Sequence, residues 1–297
     1  TIPLDPPTFK KYEGEGIRIR YFGHACVLIE TRSICILIDP LISYKYSTFL
    51  NRFTFEDLPA HIDYVLFTHA HEDHIVLETI LQIRHKVGAF IIPCDRQGNL
   101  SDPSIRLILE YTGFKNLISL EEFQSIYFKE GEILGLPFLG EHCDLNVNSK
   151  LAYCVILQGQ KILFLADSNN LEPHTYKLIF KEIGVVDTIF IGMEHVGHTL
   201  TFQYGGLITI PIEDNIDKSR RLSGSDYLKA LNVVEQAKCK NAYVYALGQE
   251  PWLNHIMALN YTEESLQIIH SKKFVEACKN RGINSELLFG QREWIIR

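Results

Sequence analysis

Apolar and polar positions along the chain alternate between two periods, and the changes of period predict the elements. Between residues 17 and 40 three short β-rich runs follow one another, at 17–22, 26–30 and 34–39, the last two joined by Thr31-Arg32-Ser33. They predict antiparallel strands. Tyr64-Val65-Leu66-Phe67 reads as a buried strand that runs directly into Thr68-His69-Ala70-His71-Glu72-Asp73-His74. Residues 75–87 then repeat apolar positions at helical spacing up to Gly88, a helix stop. A strand at 89–92, a helix at 104–111 and strands at about 125–139, 151–157 and 162–166 lead to Asp167. Helices at 173–183, 225–238 and 263–280 then alternate with strands at 186–191 and 242–246.

Antiparallel character occurs in both halves and each half closes with helices, so each sheet has one face for a second sheet and one for helices. The predicted fold class is α/β, a four-layer αββα sandwich of two mixed sheets with outer helices. A length of 297 residues leaves one large or two modest domains open. The absence of an internal repeat, a low-complexity tract or a Gly/Ser/Pro-rich linker favours a single domain over 1–297.

Composition removes several function classes. With 46% hydrophobic and 22% charged residues the chain affords a core and does not read as disordered. A net charge of -7 argues against a nucleic-acid partner. No apolar run approaches the roughly 18 residues of a membrane span, and Thr1–Pro7 lacks the basic and apolar regions of a signal peptide. The 7 cysteines are scattered without a Cys-x-x-Cys pair, as expected of reduced thiols. No membrane partner and a cytoplasmic location are the expectations.

The chemistry concentrates in 69–74, where three imidazoles and a carboxylate fall at the C-terminal end of a strand. His69 and His71, two residues apart in an extended turn, are spaced to converge on one metal ion. Asp73 and His74, at the start of a helix, are spaced to face a second. Of the other histidines, His61, His85, His174 and His270 have no partner in sequence, and His24 reads as a hydrogen-bonded sheet histidine.

The run His69-x-His71-x-Asp73-His74 resembles the His-x-His-x-Asp-His motif of the metallo-β-lactamase superfamily. Residues 21–30 and Ile36-Leu37-Ile38-Asp39-Pro40 are similar to its opening strands, which implies that Asp39 orients metal-binding histidines. The resemblance further implies a bridging carboxylate, here Asp167 after Lys161-Ile162-Leu163-Phe164-Leu165-Ala166, and a third ligand of the first metal near residue 141. Glu141 and His142 are adjacent, so along an extended chain only one of them coordinates. Glu141 would give an oxygen-rich site suited to iron or manganese, and His142 a nitrogen-rich zinc site. A last histidine is assigned to His255, which Pro251 places with Trp252 on one face of a helical turn, with His195 its competitor. Glu194, His195 and His198 read as pocket lining, and Arg220 and Arg221 as receivers of a phosphate or carboxylate.

Gly140-Glu141-His142, residues 219–227 with Asp226, and residues 243–252 resemble a narrower branch, the diiron oxygenases that β-hydroxylate carrier-protein-bound amino acids in non-ribosomal peptide assembly, as in chloramphenicol biosynthesis. This resemblance implies Glu141 rather than His142. It implies two iron ions held by His69, His71 and Glu141 and by Asp73, His74 and His255, with Asp167 between them. O2 would be the cosubstrate, with an external electron donor and a carrier-protein-bound or small-molecule substrate. One departure is that those hydroxylases carry a large N-terminal domain for which these residues leave no room. The alternative expectation is a dinuclear zinc hydrolase of an ester, lactone, amide or phosphodiester. A metal-binding scaffold without turnover is the third.

Overall fold

The computed structural model describes residues 11–45, 50–95, 102–140, 148–199, 201, 209–219, 224–257 and 260–297. Its frame is two seven-stranded mixed sheets. In the first, β1 (Ile17–Gly23), β2 (Cys26–Glu30) and β3 (Cys35–Ile38) form the antiparallel meander, and β4 (Ile62–Leu66), β5 (Val87–Pro93) and β6 (Leu117–Leu120) continue it in parallel. The second repeats the scheme. Here β7 (Ser125–Phe128), β8 (Gly131–Leu136), β9 (Ala152–Leu157) and β10 (Gln160–Phe164) are antiparallel, while β11 (Thr188–Gly192), β12 (Asn241–Tyr245) and β13 (Asn284–Leu287) run parallel. The last strand, β14 (Arg292–Ile296), returns to the first sheet and pairs with β1.

The layers follow from the two-residue period of strands. Ile17, Ile19 and Tyr21, Val27 and Ile29, and Ile36 and Ile38 point to the second sheet. They meet Tyr153, Val155, Leu157, Ile162, Phe164, Phe190, Tyr243 and Tyr245 in one buried cluster. Intervening residues such as Cys26, Leu28 and Leu37 face outward, against helices Leu77–Ile83 and Ile105–Tyr111. On the far side Cys154, Leu163, Ile189, Ile191 and Val244 pack on helices Pro173–Ile183, Tyr227–Ala237 and Leu266–Lys279. Three apolar layers between four layers of structure account for near-continuous hydrophobic runs in β2, β3, β11 and β12. No helix among the described residues is long and apolar enough to cross a membrane.

Several predicted boundaries shift. The helix expected over 75–87 ends at Ile83, passes through a 3-10 turn, and Val87 opens β5. Gly88 lies inside that strand, where a Cβ would stand 2.8 Å from the Asp63 carbonyl oxygen, so the glycine serves close strand approach rather than a helix stop. Three strands that the pattern did not predict, β6, β13 and β14, flank the sheets, where half-exposed positions weaken the hydrophobic alternation.

Phe190 occupies the centre of the inter-sheet layer, fully buried and stacked on Phe164 with ring centroids 4.7 Å apart. Phe190→Ala is expected to cost about 3–5 kcal/mol of stability, read as a lower urea-unfolding midpoint, whereas Leu178→Ala on an exposed helix face stays within about 0.5 kcal/mol. A Phe190→Ala loss below about 1 kcal/mol would contradict this packing.

Candidate metal centre

The functional side chains leave the sheets at one edge, from the turn after β1 and the C-terminal ends of β3, β4, β10 and β11. Parallel strands deliver their carboxyl ends together, which is why ligands gather there. Asp39 follows β3 and Thr68 follows its neighbour β4, paired in register through Ile38 and Leu66. The Thr68 amide donates to Asp39 Oδ1 at 2.8 Å and its hydroxyl to Oδ2 at 2.7 Å. Asp39 Oδ2 also lies 2.8 Å from His74 Nδ1, an arrangement that turns Nε2 of His74 toward the cage. In the turn after β1, Gly23, at φ +115, carries the register shift between β1 and β2, and His24 follows it at φ 48. Asp39 (φ 40) and Ala166 (φ 46) share that left-handed conformation, an unfavourable backbone state concentrated around the site.

Asp167 is the centre of the arrangement. Its Oδ2 lies 3.3 Å from Nε2 of each of His69, His74 and His195. His71 Nδ1 is 2.9 Å from His69 Nε2, and Asp73 Oδ2 is 3.0 Å from His24 Nε2 and 3.6 Å from His74 Nε2. Three sets of donor atoms, each within 4.8 Å of one another, result: His69, His71 and Asp167; His24, Asp73 and His74; and Asp167, Glu194 and His195. Six of these side chains, those of His24, His69, His74, Asp167, Glu194 and His195, are buried. Nδ1 of His24 and Oε2 of Glu194 have no hydrogen-bond partner among the described residues. Buried polar atoms without partners are costly, and imidazole nitrogens beside carboxylate oxygens at this spacing are a donor set that a metal ion satisfies.

The electrostatics match. Burial pushes the pKa of His69 and His71 down, and neighbouring imidazoles add to the effect. Burial also opposes a charge on His74, but the carboxylates of Asp73, Asp39 and Asp167 outweigh it and hold its pKa well above the usual value. Asp73 and Asp167 move the other way: burial raises each, and the neighbouring histidines, His74 foremost, pull both below the normal carboxylate range. Glu194 is pushed well up by burial and by the negative charges of Asp73 and Asp167. Metal ions compete with protons for imidazole and carboxylate donors, so a bound cation would take over the role that opposes these negative charges.

The predicted residues divide cleanly. His69, His71, Asp73, His74 and Asp167 are brought together, with Asp39 behind them. His255 is not. It is exposed, its Nδ1 lies 3.1 Å from the Trp252 carbonyl oxygen, and it lines a cleft with Leu41 and Val76 on the outer face of the first sheet. The helical turn expected at Pro251 forms, but packing of Trp252 and Leu253 into that outer apolar layer turns its face away from the cage. His195 stands at Asp167 instead, and its position just after the apolar strand β11 is the sequence signal that supports it. His24, read as a sheet histidine, joins Asp73 and His74, and Glu194 joins the set rather than only lining a pocket. Glu141, His142, Arg220 and Arg221 lie outside the described residues. Asp226 caps helix Tyr227–Ala237 through the amides of Leu228 and Lys229, both at 2.9 Å.

Because Asp39 acts on the cage only through His74 and Thr68, Asp39→Asn is expected to preserve the fold and weaken metal binding by roughly 10–100-fold. Chelator competition measures the affinity and circular dichroism the fold; unchanged affinity would remove Asp39 from this role.

Comparison with known proteins agrees with the geometry. A 3-hydroxylase of Streptomyces venezuelae, named for 4-amino-L-phenylalanyl on the CmlP peptidyl carrier protein, is 39% identical over 276 residues, 92% of this chain and 52% of the relative. The crystal structure of CmlA, a diiron beta-hydroxylase from the same organism, superposes with a TM-score of 0.89 at 38% identity, covering 95% of this chain and 55% of that one. The chain therefore spans about half the length of these relatives. Igni18, a metallo hydrolase of Ignicoccus hospitalis, shares the fold at 15% identity with a TM-score of 0.55, covering 95% of this chain and 99% of its own. Residues 18–209, the span that holds His24, Asp39, His69 to His74, Asp167 and His195, match the family described as beta-lactamase superfamily domain, and the chain belongs to that family.

Proposed function

We propose that this chain is the diiron catalytic part of an O2-dependent hydroxylase acting on an aminoacyl group tethered to a peptidyl carrier protein. The observation that carries the reading is the convergence of buried histidines and carboxylates on Asp167, in a chain 39% identical over 92% of its length to a hydroxylase of that kind. His69 and His71 with Asp167 would hold one ion. Asp73, His74 and His195 with Asp167 would hold the other, and His195 replaces His255 in this assignment. Two bound ferrous ions would supply O2 binding and redox capacity at the same place.

Hydroxylation of a C–H bond by O2 places one oxygen atom in the product and the other in water, and takes up two electrons and two protons from an external donor. The chain's own groups contribute position and charge. Asp167 would offer its carboxylate to ions in both neighbouring donor sets, and its negative charge would lower their mutual repulsion. Asp39 and Thr68 fix the ring of His74.

Glu141 belongs to the first ion's set in this proposal. Just before it the chain lies beside the cage. The Phe138 ring is 5.2 Å from that of His69, and the Leu139 carbonyl accepts the Asn169 amide at 2.7 Å, two residues beyond Asp167. After residues 141–147, Lys150 forms an antiparallel bridge with His69 itself. A carboxylate at 141 would harden the site toward iron over zinc.

Anaerobic reduction of the iron-loaded protein, followed by O2 and an aminoacyl carrier protein, should add one oxygen atom to the aminoacyl group, read by mass spectrometry of the intact carrier. An iron form inert to O2, together with a zinc form that cleaves esters or phosphodiesters, would replace this reading with the hydrolase. Glu141→His should shift the metal retained after expression from iron toward zinc, measured by elemental analysis. His142→Ala should leave metal content unchanged, and the reverse pattern would make His142 the ligand.

A further inference from the structure

We propose that the open cleft between the turn at 249–254 and the segment leading into helix Leu266–Lys279 admits the phosphopantetheine arm of the carrier protein, with Tyr261 at its inner end. The proposal rests on the hydroxylase reading above and adds the route by which the substrate reaches the metals. The cleft has a volume of about 510 Å³, within the range usual for ligand sites.

Its lining matches the arm in chemistry. Gln249, Asn254, Asn260 and Thr262 present neutral side-chain donors and acceptors. Pantetheine carries two amides and a hydroxyl, which need such partners in a partly desolvated groove. Gln249 is held in place by donating through Nε2 to the Leu288 carbonyl at 3.0 Å, which leaves its side-chain oxygen available to a ligand amide. At the rim Lys272 is 56% exposed and pairs with the more exposed Glu263. Exposed ion pairs of this kind are weak, so Lys272 is free to turn to a phosphate.

The cleft also leads to the right place. Tyr261 lines it, yet the phenolic oxygen is buried and without a hydrogen-bond partner among the described residues. Burial foremost, with the negative charges of Glu194, Asp167 and Asp73, raises the pKa of this hydroxyl. The residue after Gln249 also connects toward the cage. Glu250, beside Gln249, is fully buried and accepts the backbone amide of His24 at 3.4 Å, and His24 Nε2 is 3.0 Å from Asp73.

The test uses the iron-loaded full chain and a fluorescent phosphopantetheine followed by anisotropy. Asn254→Trp and Asn260→Trp, which fill the cleft from two exposed positions, should each weaken binding at least tenfold with iron content and circular dichroism unchanged. Lys272→Glu should weaken it several-fold and flatten its salt dependence. Absence of binding to the unaltered protein, or equal binding to all variants, would overturn the proposal. If the unaltered chain hydroxylates a carrier-bound aminoacyl group and the tryptophan variants do so with the same KM, the cleft assignment falls and the hydroxylase reading stands. If the arm binds and the variants lose it while the iron protein stays inert to O2, the hydroxylase reading falls and the cleft assignment stands.

Discussion

The structure is organised around the burial of one carboxylate. Asp167 is 5% exposed, with three imidazole nitrogens 3.3 Å from one of its oxygens. A carboxylate removed from water is costly unless paired, and no local segment supplies three partners. His69 and His74 arrive from the end of β4 in the first sheet, and Asp167 and His195 from β10 and β11 in the second. The pairing therefore exists only while the sheets are packed face to face. The aromatic and aliphatic layer that holds them together is thus also what keeps the cage assembled.

A second constraint follows from topology. Each sheet passes from an antiparallel meander into parallel strands, and each transition ends in an acid, Asp39 after β3 and Asp167 after β10. The two have different duties. Asp39 is fully buried behind the cage and spends its oxygens on Thr68 and His74, whereas Asp167 turns toward the histidines of the opposite sheet. The backbone at Asp39 and at Ala166, immediately before Asp167, has positive φ in both cases, so the same strand-end geometry aims one acid at neighbours and the other at a cation site.

Charge completes the picture. The neighbouring histidines hold Asp73 and Asp167 below the usual carboxylate range, the carboxylates hold His74 above the usual imidazole value, and burial disfavours protons on His69 and His71. A metal ion competes with protons for the imidazole nitrogens, so coordination would strengthen as pH rises.

Much was legible in the sequence because it depended on local pattern. The meander 17–40, helix Pro173–Ile183 and the alternation behind the four layers follow from short-range periodicity, and His69, His71, Asp73 and His74 are close enough in sequence to share a site in any extended turn. The edge strands β13 and β14 were not legible, because a half-exposed strand has little hydrophobic signature before its neighbour is known. The sequence by itself determined which residue types could bind metal and that acids end the key strands. Only the tertiary structure decided between His195 and His255, and brought His24 and Glu194 to the cage. The physical reason is that packing of Trp252 and Leu253 into an apolar layer fixes where the turn carrying His255 faces, and that burial depends on residues scores of positions away.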